Sequence, residues 1–258
     1  MLPSPRLKLT RLLLPFIGVA AGVAAWEVAT LLHPHALVPG PGAAVAAIGE
    51  LAVKGLLLKY VVASLFRVTW GYLVALVLAV PAGVLLGLWA KGEMAFNPIL
   101  QLMRPISPLA WIPIAILWFG VGDTSAIFLI FLASFLPLTL TVMGAVRNIE
   151  AVHLAAGMNF GLSRARLVRD VILPAILPQL IVGMRITLGI AWLVVVAAEM
   201  IAVNSGLGFL IVDARNAGNR YDLVLAGMLM IGLIGVLLDF AMRRLERLDG
   251  VRWGYVTE

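Results

Sequence analysis

Two arginines, Arg104 and Arg185, lie at the start of or inside long apolar runs of the sequence. A charged side chain at the centre of a bilayer costs roughly 2.5–3.5 kcal/mol, so such residues usually face a cavity or a solute path. Both arginines also lie near the end of a run, and they could instead extend to the lipid headgroups. Gln101 and Trp111 are weaker candidates for the same path.

Residue types that carry out catalysis are scarce. The chain has no cysteine and three histidines, so it lacks a thiol nucleophile and a rich set of metal ligands. His33 and His35 have no third ligand nearby, and we expect no metal site. No lysine follows the G-x-x-x-x-G-K-[ST] pattern of a phosphate-binding loop. We therefore predict a chain without enzymatic activity or cofactor of its own, in which any ATP hydrolysis belongs to a partner.

The composition is that of an integral membrane protein. Hydrophobic residues make up 62% of the 258, charged residues 12%, and the mean hydropathy is +1.06. Soluble domains have roughly 45–50% apolar and about 25% charged residues. Since a spanning helix needs about 20 apolar residues, the sequence predicts an all-α fold with about six spans. These spans cover 12–32, 68–90, 105–122, 124–146, 173–198 and 223–242.

The distribution of basic residues predicts the topology. Twelve of them fall on one side of the six predicted spans: Arg6, Lys8, Arg11, Lys91, Arg147, Arg164, Arg166, Arg169, Arg243, Arg244, Arg247 and Arg252. The opposite side holds Lys54, Lys59, Arg215 and Arg220. The positive-inside rule makes the richer side, with both termini, cytoplasmic. This asymmetry accounts for the net charge of +6 without a nucleic-acid partner.

Residues between the spans indicate further elements within a single transmembrane domain, 1–258. A Pro-Gly turn precedes a predicted amphipathic helix over about 42–58, on the outer surface. The apolar piece 207–212 is too short to span and predicts a re-entrant or surface-lying helix. We expect Glu199 to cap backbone, to pair with a base or to contact a docked partner, and Asp239 to pair with Arg243 at i,i+4 spacing.

The longest internal cytoplasmic segment, 147–172, has the pattern of two short helices around a turn. Gly161 can adopt the left-handed backbone conformation that ends the first helix, and Ser163 is a suitable N-cap for the second. Small residues at 155–157 would let another protein approach closely. A solvated basic loop would explain the arginines alone, whereas the ordered turn and the small residues favour a docking element.

This segment resembles the EAA loop of inner-membrane permease subunits of ATP-binding-cassette (ABC) importers. That loop reads Glu-Ala-Ala, three residues, Gly, nine residues, Ile, one residue, Leu-Pro. Here Gly161 takes the Gly position, Val171 the Ile position, and Ala155 stands where the family has Glu. Blocks at 107–132, 144–149, 183–201 and 204–216 are similar to the nitrate, sulfonate, taurine and bicarbonate branch of these permeases.

The resemblance implies the type I importer transmembrane fold and a set of partners. The partners are cytoplasmic ABC ATPases that bind ATP and Mg²⁺, an extracytoplasmic substrate-binding protein, and a second permease copy, identical or a paralogue. It also implies a bacterial inner membrane and a small anionic substrate, for which Arg104 and Arg185 would line the path. The implied ATPase-coupling residues are Ala155, Ala156, Gly157, Gly161 and Leu162.

Two alternatives make different demands on the sequence. A gradient-driven carrier or channel would have no ATPase partner and would carry ion-coupling groups at the bilayer midplane. A membrane-embedded enzyme would need a cluster of nucleophile, base or metal ligands. The charged residues lie near span ends instead, and the histidines are scattered.

Overall fold

The computed structural model describes residues 5–33, 38–216 and 218–246, with side chains from residue 13 onward. Arg247, Arg252, His35 and the side chains of Arg6, Lys8 and Arg11 lie outside the described residues. The described chain contains helices and no strand, in agreement with the predicted all-α class. The α-helices are α1 (Pro5–Leu32), α2 (Pro41–Val53), α3 (Leu56–Leu88), α4 (Ala90–Met103), α5 (Ile112–Phe119), α6 (Asp123–Arg147), α7 (Ala151–Asn159), α8 (Arg164–Leu167), α9 (Leu173–Ala202), α10 (Leu207–Asn216) and α11 (Tyr221–Glu246).

Five described helices are long and apolar enough to cross a membrane, and a sixth candidate is a broken pair. The five are Leu13–Leu32, Leu56–Leu88, Asp123–Arg147, Arg164–Ala202 and Tyr221–Glu246. These helices confirm the prediction of about six spans. They make the chain a multi-pass membrane protein.

The span predicted at 105–122 has a different structure from the one expected. It is the second part of a broken pair, in which α4 and the helical residues Pro108–Phe119 are bent by 88°. The break coincides with two prolines, because Pro105 has no N–H with which to continue α4 and Pro108 begins a short 3₁₀ turn. The residues around Lys91, predicted as a loop, belong to α4.

The second predicted span and the outer helix both had wrong boundaries. The helix predicted over 42–58 ends at Val53, because Gly55 has a positive φ of 69° that stops it. The next helix, α3, then begins at Leu56 rather than at residue 68. Arg67 consequently lies inside a spanning helix and not in front of one.

The described chain separates into two compact units, of which the smaller takes in the residues up to Lys59 and Leu210–Leu229. Within it, Glu50 on α2 accepts hydrogen bonds from Arg220 at 2.7 Å and from Lys54 at 2.6 Å. These two cations, Arg220 first, lower the pKa of the Glu50 carboxyl to about 2. The carboxylate therefore stays ionised at neutral pH and ties α2 to the residues before α11.

In the larger unit, which includes Tyr60–Phe209, a seam of small residues joins α3 to α6. Gly71, Ala75, Ala79, Gly83 and Gly87 recur every fourth residue and so lie on one face of α3. A Cβ added to Gly83 would lie 2.6 Å from Cβ of Val142. Such close approach of two backbones is how spanning helices gain packing energy when lipid and side chain are equally apolar.

The most buried spanning helix is α6, which packs between α3 and α9. Leu138 and Val142 of α6 form one buried cluster with Ile176 and Leu180 of α9. The indole of Trp192 on α9 donates to the carbonyl of Ile231 on α11 at 3.0 Å. These contacts hold together the helices that surround the cavity described next.

Candidate functional site

A cavity of about 940 Å³ lies in the larger unit between α6, α9 and the broken helix pair. Two apolar stripes at i,i+4 spacing line it. They are Leu132, Leu136 and Leu140 of α6, and Val182, Ile186 and Ile190 of α9. The break between α4 and α5 adds Met103, Arg104, Ile106, Pro108 and Trp111. A mostly apolar wall with a few polar groups is typical of a ligand site.

Of the four residues proposed for a solute path, the structure brings Arg104 and Trp111 to this cavity. The guanidinium of Arg104 is exposed and has no acidic or hydrogen-bond partner among the described residues. Gln101 does not line the cavity. It is exposed on α4, with Asn97 as a weak partner at 3.5 Å.

Arg185 is also absent from the cavity lining, because its guanidinium is engaged by acids of α11. It donates to Asp239 at 2.6 Å and to Glu246 at 3.2 Å. Asp239 accepts a further bond from Arg243 at 2.9 Å, the i,i+4 pair expected from the sequence. This arginine therefore links α9 to α11 rather than facing a solute.

A second charged cluster is buried and centres on Arg67 of α3. The sequence had not predicted a role for this arginine. Its side chain is 2% exposed and donates to Glu199 at 2.6 Å, to Asp123 at 2.7 Å and to the Ser205 carbonyl at 2.7 Å. Glu199 is fully buried. A charge within an apolar helix needs a partner, and this could have pointed to Arg67 from the sequence. It was missed because the predicted span began at residue 68, which placed Arg67 just outside it.

The same cluster holds the first turn of α10. Glu199 accepts from the backbone N–H of Gly208 and from the hydroxyl of Ser64, both at 2.9 Å. The Ser64 oxygen accepts in turn from the N–H of Leu207 at 3.0 Å. A helix N-terminus has unpaired N–H groups and favours a negative charge, so Glu199 caps α10 from α9. This confirms the expected capping and pairing role of Glu199.

The predicted docking segment forms the two-helix turn that its sequence indicated. Gly161 has a φ of 72°, its N–H donates to Met158 at 2.9 Å, and the N–H of Leu162 donates to Gly157 at 3.2 Å. This is a complete Schellman motif at the end of α7. Ser163 caps α8 by accepting from the N–H of Arg166 at 3.4 Å.

The small residues of this segment have two different environments. Ala155 and Ala156 are exposed, whereas Gly157 is buried, and a Cβ there would lie 2.5 Å from Leu167. Gly157 thus lets α7 pack on α8 and is not part of an open surface. Phe160, which no sequence pattern had singled out, has a side chain that is 87% exposed beside the turn.

A π-helical turn, Val168–Ile172, joins this segment to α9. The N–H of Leu173 reaches back five residues to the carbonyl of Val168. Pro174 supplies the reason, because it has no N–H and its ring would clash with the carbonyl four residues before it. The docking segment is therefore continuous with a spanning helix.

Metal ligands do not cluster in the part of the chain that the structure describes. No group of three or more His, Cys, Asp or Glu side chains there is arranged to hold a metal ion.

Comparisons with known proteins agree with this architecture. The profile of the family described as "Binding-protein-dependent transport system inner membrane component" matches residues 71–248. The taurine transport system permease protein TauC of Escherichia coli is 36% identical over 230 residues, which cover 86% of this chain and 82% of that protein. The nitrate import permease protein NrtB of Leptolyngbya laminosa is 37% identical over 179 residues, covering 69% and 64%.

A further relative and a solved structure extend the similarity. The putative aliphatic sulfonates transport permease protein SsuC of Bacillus subtilis is 34% identical over 238 residues, covering 92% of this chain and 84% of that protein. An inward-facing structure of the MetNI methionine ABC transporter matches with a TM-score of 0.67 at 22% identity, covering 76% of this chain and 97% of that one. The fold is thus that of an ABC importer transmembrane domain. The chain belongs to the family of binding-protein-dependent transport system inner membrane components and is a transmembrane permease subunit of an ABC importer.

Proposed function

We propose that this permease subunit, paired with a second copy or a paralogue, provides the translocation path for a small anion. The relatives named above transport taurine, sulfonates and nitrate, as their names state. The observation that carries the proposal is the unpaired guanidinium of Arg104 on the wall of the cavity. Arg67 and Arg185, which lie inside the spanning helices α3 and α9, are neutralised by carboxylates.

An uptake measurement tests this proposal. Cells carrying the importer are given labelled nitrate, taurine or butanesulfonate, and Arg104→Gln is expected to lower the uptake of the accumulated anion at least about tenfold. A hydrogen bond to a charged group contributes about 1.5–3 kcal/mol, which corresponds to such a factor. Lys91→Gln, which removes an exposed cation from α4, should leave uptake unchanged. Wild-type uptake by Arg104→Gln would remove Arg104 from the path.

ATP binding and hydrolysis, with Mg²⁺, belong in this proposal to cytoplasmic ATPase subunits that dock on the segment 151–162. The surface there is apolar and small, with Val152, Met158 and Phe160 exposed beside Ala155 and Ala156. The Schellman turn at Gly161 and Leu162 fixes its shape, and the helical link through Val168–Ile172 would transmit its movement to α9. An extracytoplasmic binding protein would deliver the anion to the opposite side.

The proposed membrane placement follows from the charges. The twelve basic residues on one side of the spans support a placement with both termini in the cytoplasm, and the family description supports a bacterial inner membrane. The whole chain would act as a single permease domain, and its remaining apolar surface would face lipid and the second copy.

Phe160→Glu is expected to abolish co-purification of the ATPase and the ATPase activity of the complex. The side chain has almost no intrachain contact, so a charge there opposes docking on an apolar groove without affecting the fold. The readout is the ATPase recovered with the tagged permease from membranes. As a control, Val53→Glu places the same charge on another exposed apolar position, in α2, and should co-purify normally. An intact, active complex with Phe160→Glu would refute docking at this surface.

A further inference from the structure

The cavity has fewer hydrogen-bond donors than its polar residues suggest. The hydroxyl of Thr141 donates to the carbonyl of Pro137 at 2.9 Å, and that of Thr187 donates to Gly183 at 2.8 Å. Both protons are thus used within their own helices, as is common for threonine in spanning helices. Neither threonine can donate to a bound anion without losing its backbone bond.

Three side-chain donors on the wall remain available. They are the guanidinium of Arg104, the indole N–H of Trp111 and the amide of Gln179. None of the three has a hydrogen-bond partner among the described residues. Together they can satisfy one anionic head group, with one formal positive charge to balance it.

Among the described residues, the rest of the wall is apolar apart from the two threonines, and it holds no carboxylate. Leu132, Leu136 and Leu140 face the cavity from α6, and Val182, Ile186 and Ile190 from α9. Its volume of about 940 Å³ lies at the upper end of the 300–1,000 Å³ of organic-ligand pockets. A bare inorganic anion would leave most of this apolar wall in contact with water, which is unfavourable.

A cationic group on the solute would also be poorly accommodated. Burying an ammonium group without a carboxylate or other acceptor is strongly unfavourable. The wall provides no acid to neutralise it, and Arg104 would repel it. The site therefore discriminates against zwitterions as well as against dianions.

We propose that the cavity selects an organic monoanion with an uncharged apolar body of several carbon atoms, whose head group is held by Arg104, Trp111 and Gln179 and whose body lies on the stripes of α6 and α9. This inference rests on the proposed function and deepens it. It excludes nitrate and zwitterionic taurine, the solutes named for two of the relatives, as preferred solutes of this cavity.

Direct binding to the purified full-length chain in lipid nanodiscs tests the inference. The probes are methanesulfonate, propanesulfonate, pentanesulfonate, taurine and nitrate, each measured by titration calorimetry against empty nanodiscs. Affinity should rise by a factor of about four per added methylene, the value expected for burial of one CH₂ group. Pentanesulfonate should therefore bind more than about tenfold tighter than taurine or nitrate.

Two variants assign the head-group site. Arg104→Gln should weaken pentanesulfonate binding at least about tenfold, since it removes the charged donor. Lys91→Gln removes a cation from the same helix but outside the cavity, and it should bind like the wild type. The chain-length series on the wild-type protein remains decisive if Arg104→Gln gives no folded protein.

Each contrary outcome has a distinct meaning. Nitrate or taurine bound as tightly as pentanesulfonate, and dependent on Arg104, would overturn the organic-anion inference and leave the proposed anion path intact. Affinity that does not increase with chain length would overturn the inference in the same way. The organic-anion inference and the proposed anion path would both be overturned if Arg104→Gln bound every anion as tightly as the wild type. They would also be overturned if the wild type bound none of the anions.

Discussion

A Glu199→Ala variant is expected to lose most of the folded, detergent-extractable protein. The change leaves the guanidinium of Arg67 buried without its principal counter-ion, and it leaves the N–H of Gly208 without an acceptor. Breaking a buried pair from one side typically costs about 3–5 kcal/mol. A domain is stable by only about 5–15 kcal/mol, so this is a large fraction. The measurements are the monodisperse fraction on gel filtration and the thermal unfolding midpoint.

Two comparison variants separate charge from hydrogen bonding in the Glu199 cluster. Glu199→Gln keeps an acceptor for Ser64 and Gly208 but removes the charge, so its midpoint should fall between wild type and Glu199→Ala. Lys54→Met breaks the exposed pair with Glu50, which solvent screens, and should leave the midpoint close to that of the wild type. A wild-type midpoint for Glu199→Ala would show that the Arg67 cluster contributes nothing to the fold.

Gly83→Ala is expected to destabilise the protein by separating α3 from α6. The added Cβ would lie 2.6 Å from Cβ of Val142 and 2.8 Å from the carbonyl oxygen of Thr139, so one backbone must move. Overpacking of this kind costs typically about 1–3 kcal/mol. Gly83→Val should cost more, because its methyl groups enter the same seam. Thermal unfolding in detergent measures both changes.

Gly144→Ala on α6 is the matched control for this seam. A Cβ there meets nothing within 4 Å, so only the helix propensity changes. Alanine is favoured over glycine in a helix by roughly 0.5–1 kcal/mol, and this variant should be as stable as the wild type or slightly more so. If Gly83→Ala behaved in the same way as Gly144→Ala, close packing at the seam would be refuted.

Hydropathy was sufficient to predict the helical class and the number of spans, because twenty apolar residues in lipid can satisfy their backbone groups only within a helix. The turn of the docking segment was also predictable. Gly161 and Ser163 act through their own neighbouring backbone, so their roles are local. Helix ends were less accurate where local signals were weak. The start of α3 was placed twelve residues late, at 68 instead of Leu56.

Long-range partners could not be predicted from composition or spacing. Arg104 and Arg185 look alike in the sequence, as charges next to apolar runs, and only packing separates them. The bend after Met103 places Arg104 on a cavity, whereas α11 brings Asp239 and Glu246 to Arg185. Similarly, Arg67 and Glu199 lie 132 positions apart and meet only because the fold brings these positions of α3 and α9 together.

The sequence by itself determined that this protein is a helical membrane protein with an ordered turn at Gly161 and Ser163, since apolar length and turn residues act locally, and its motif blocks carried the resemblance to ABC importer permeases. The tertiary structure alone decided that Arg67 and Arg185 are paired with carboxylates, whereas Arg104 lies on the cavity wall without an acidic partner among the described residues. The physical reason is that a buried charge is defined by the partners around it, and those partners come from helices distant in the chain.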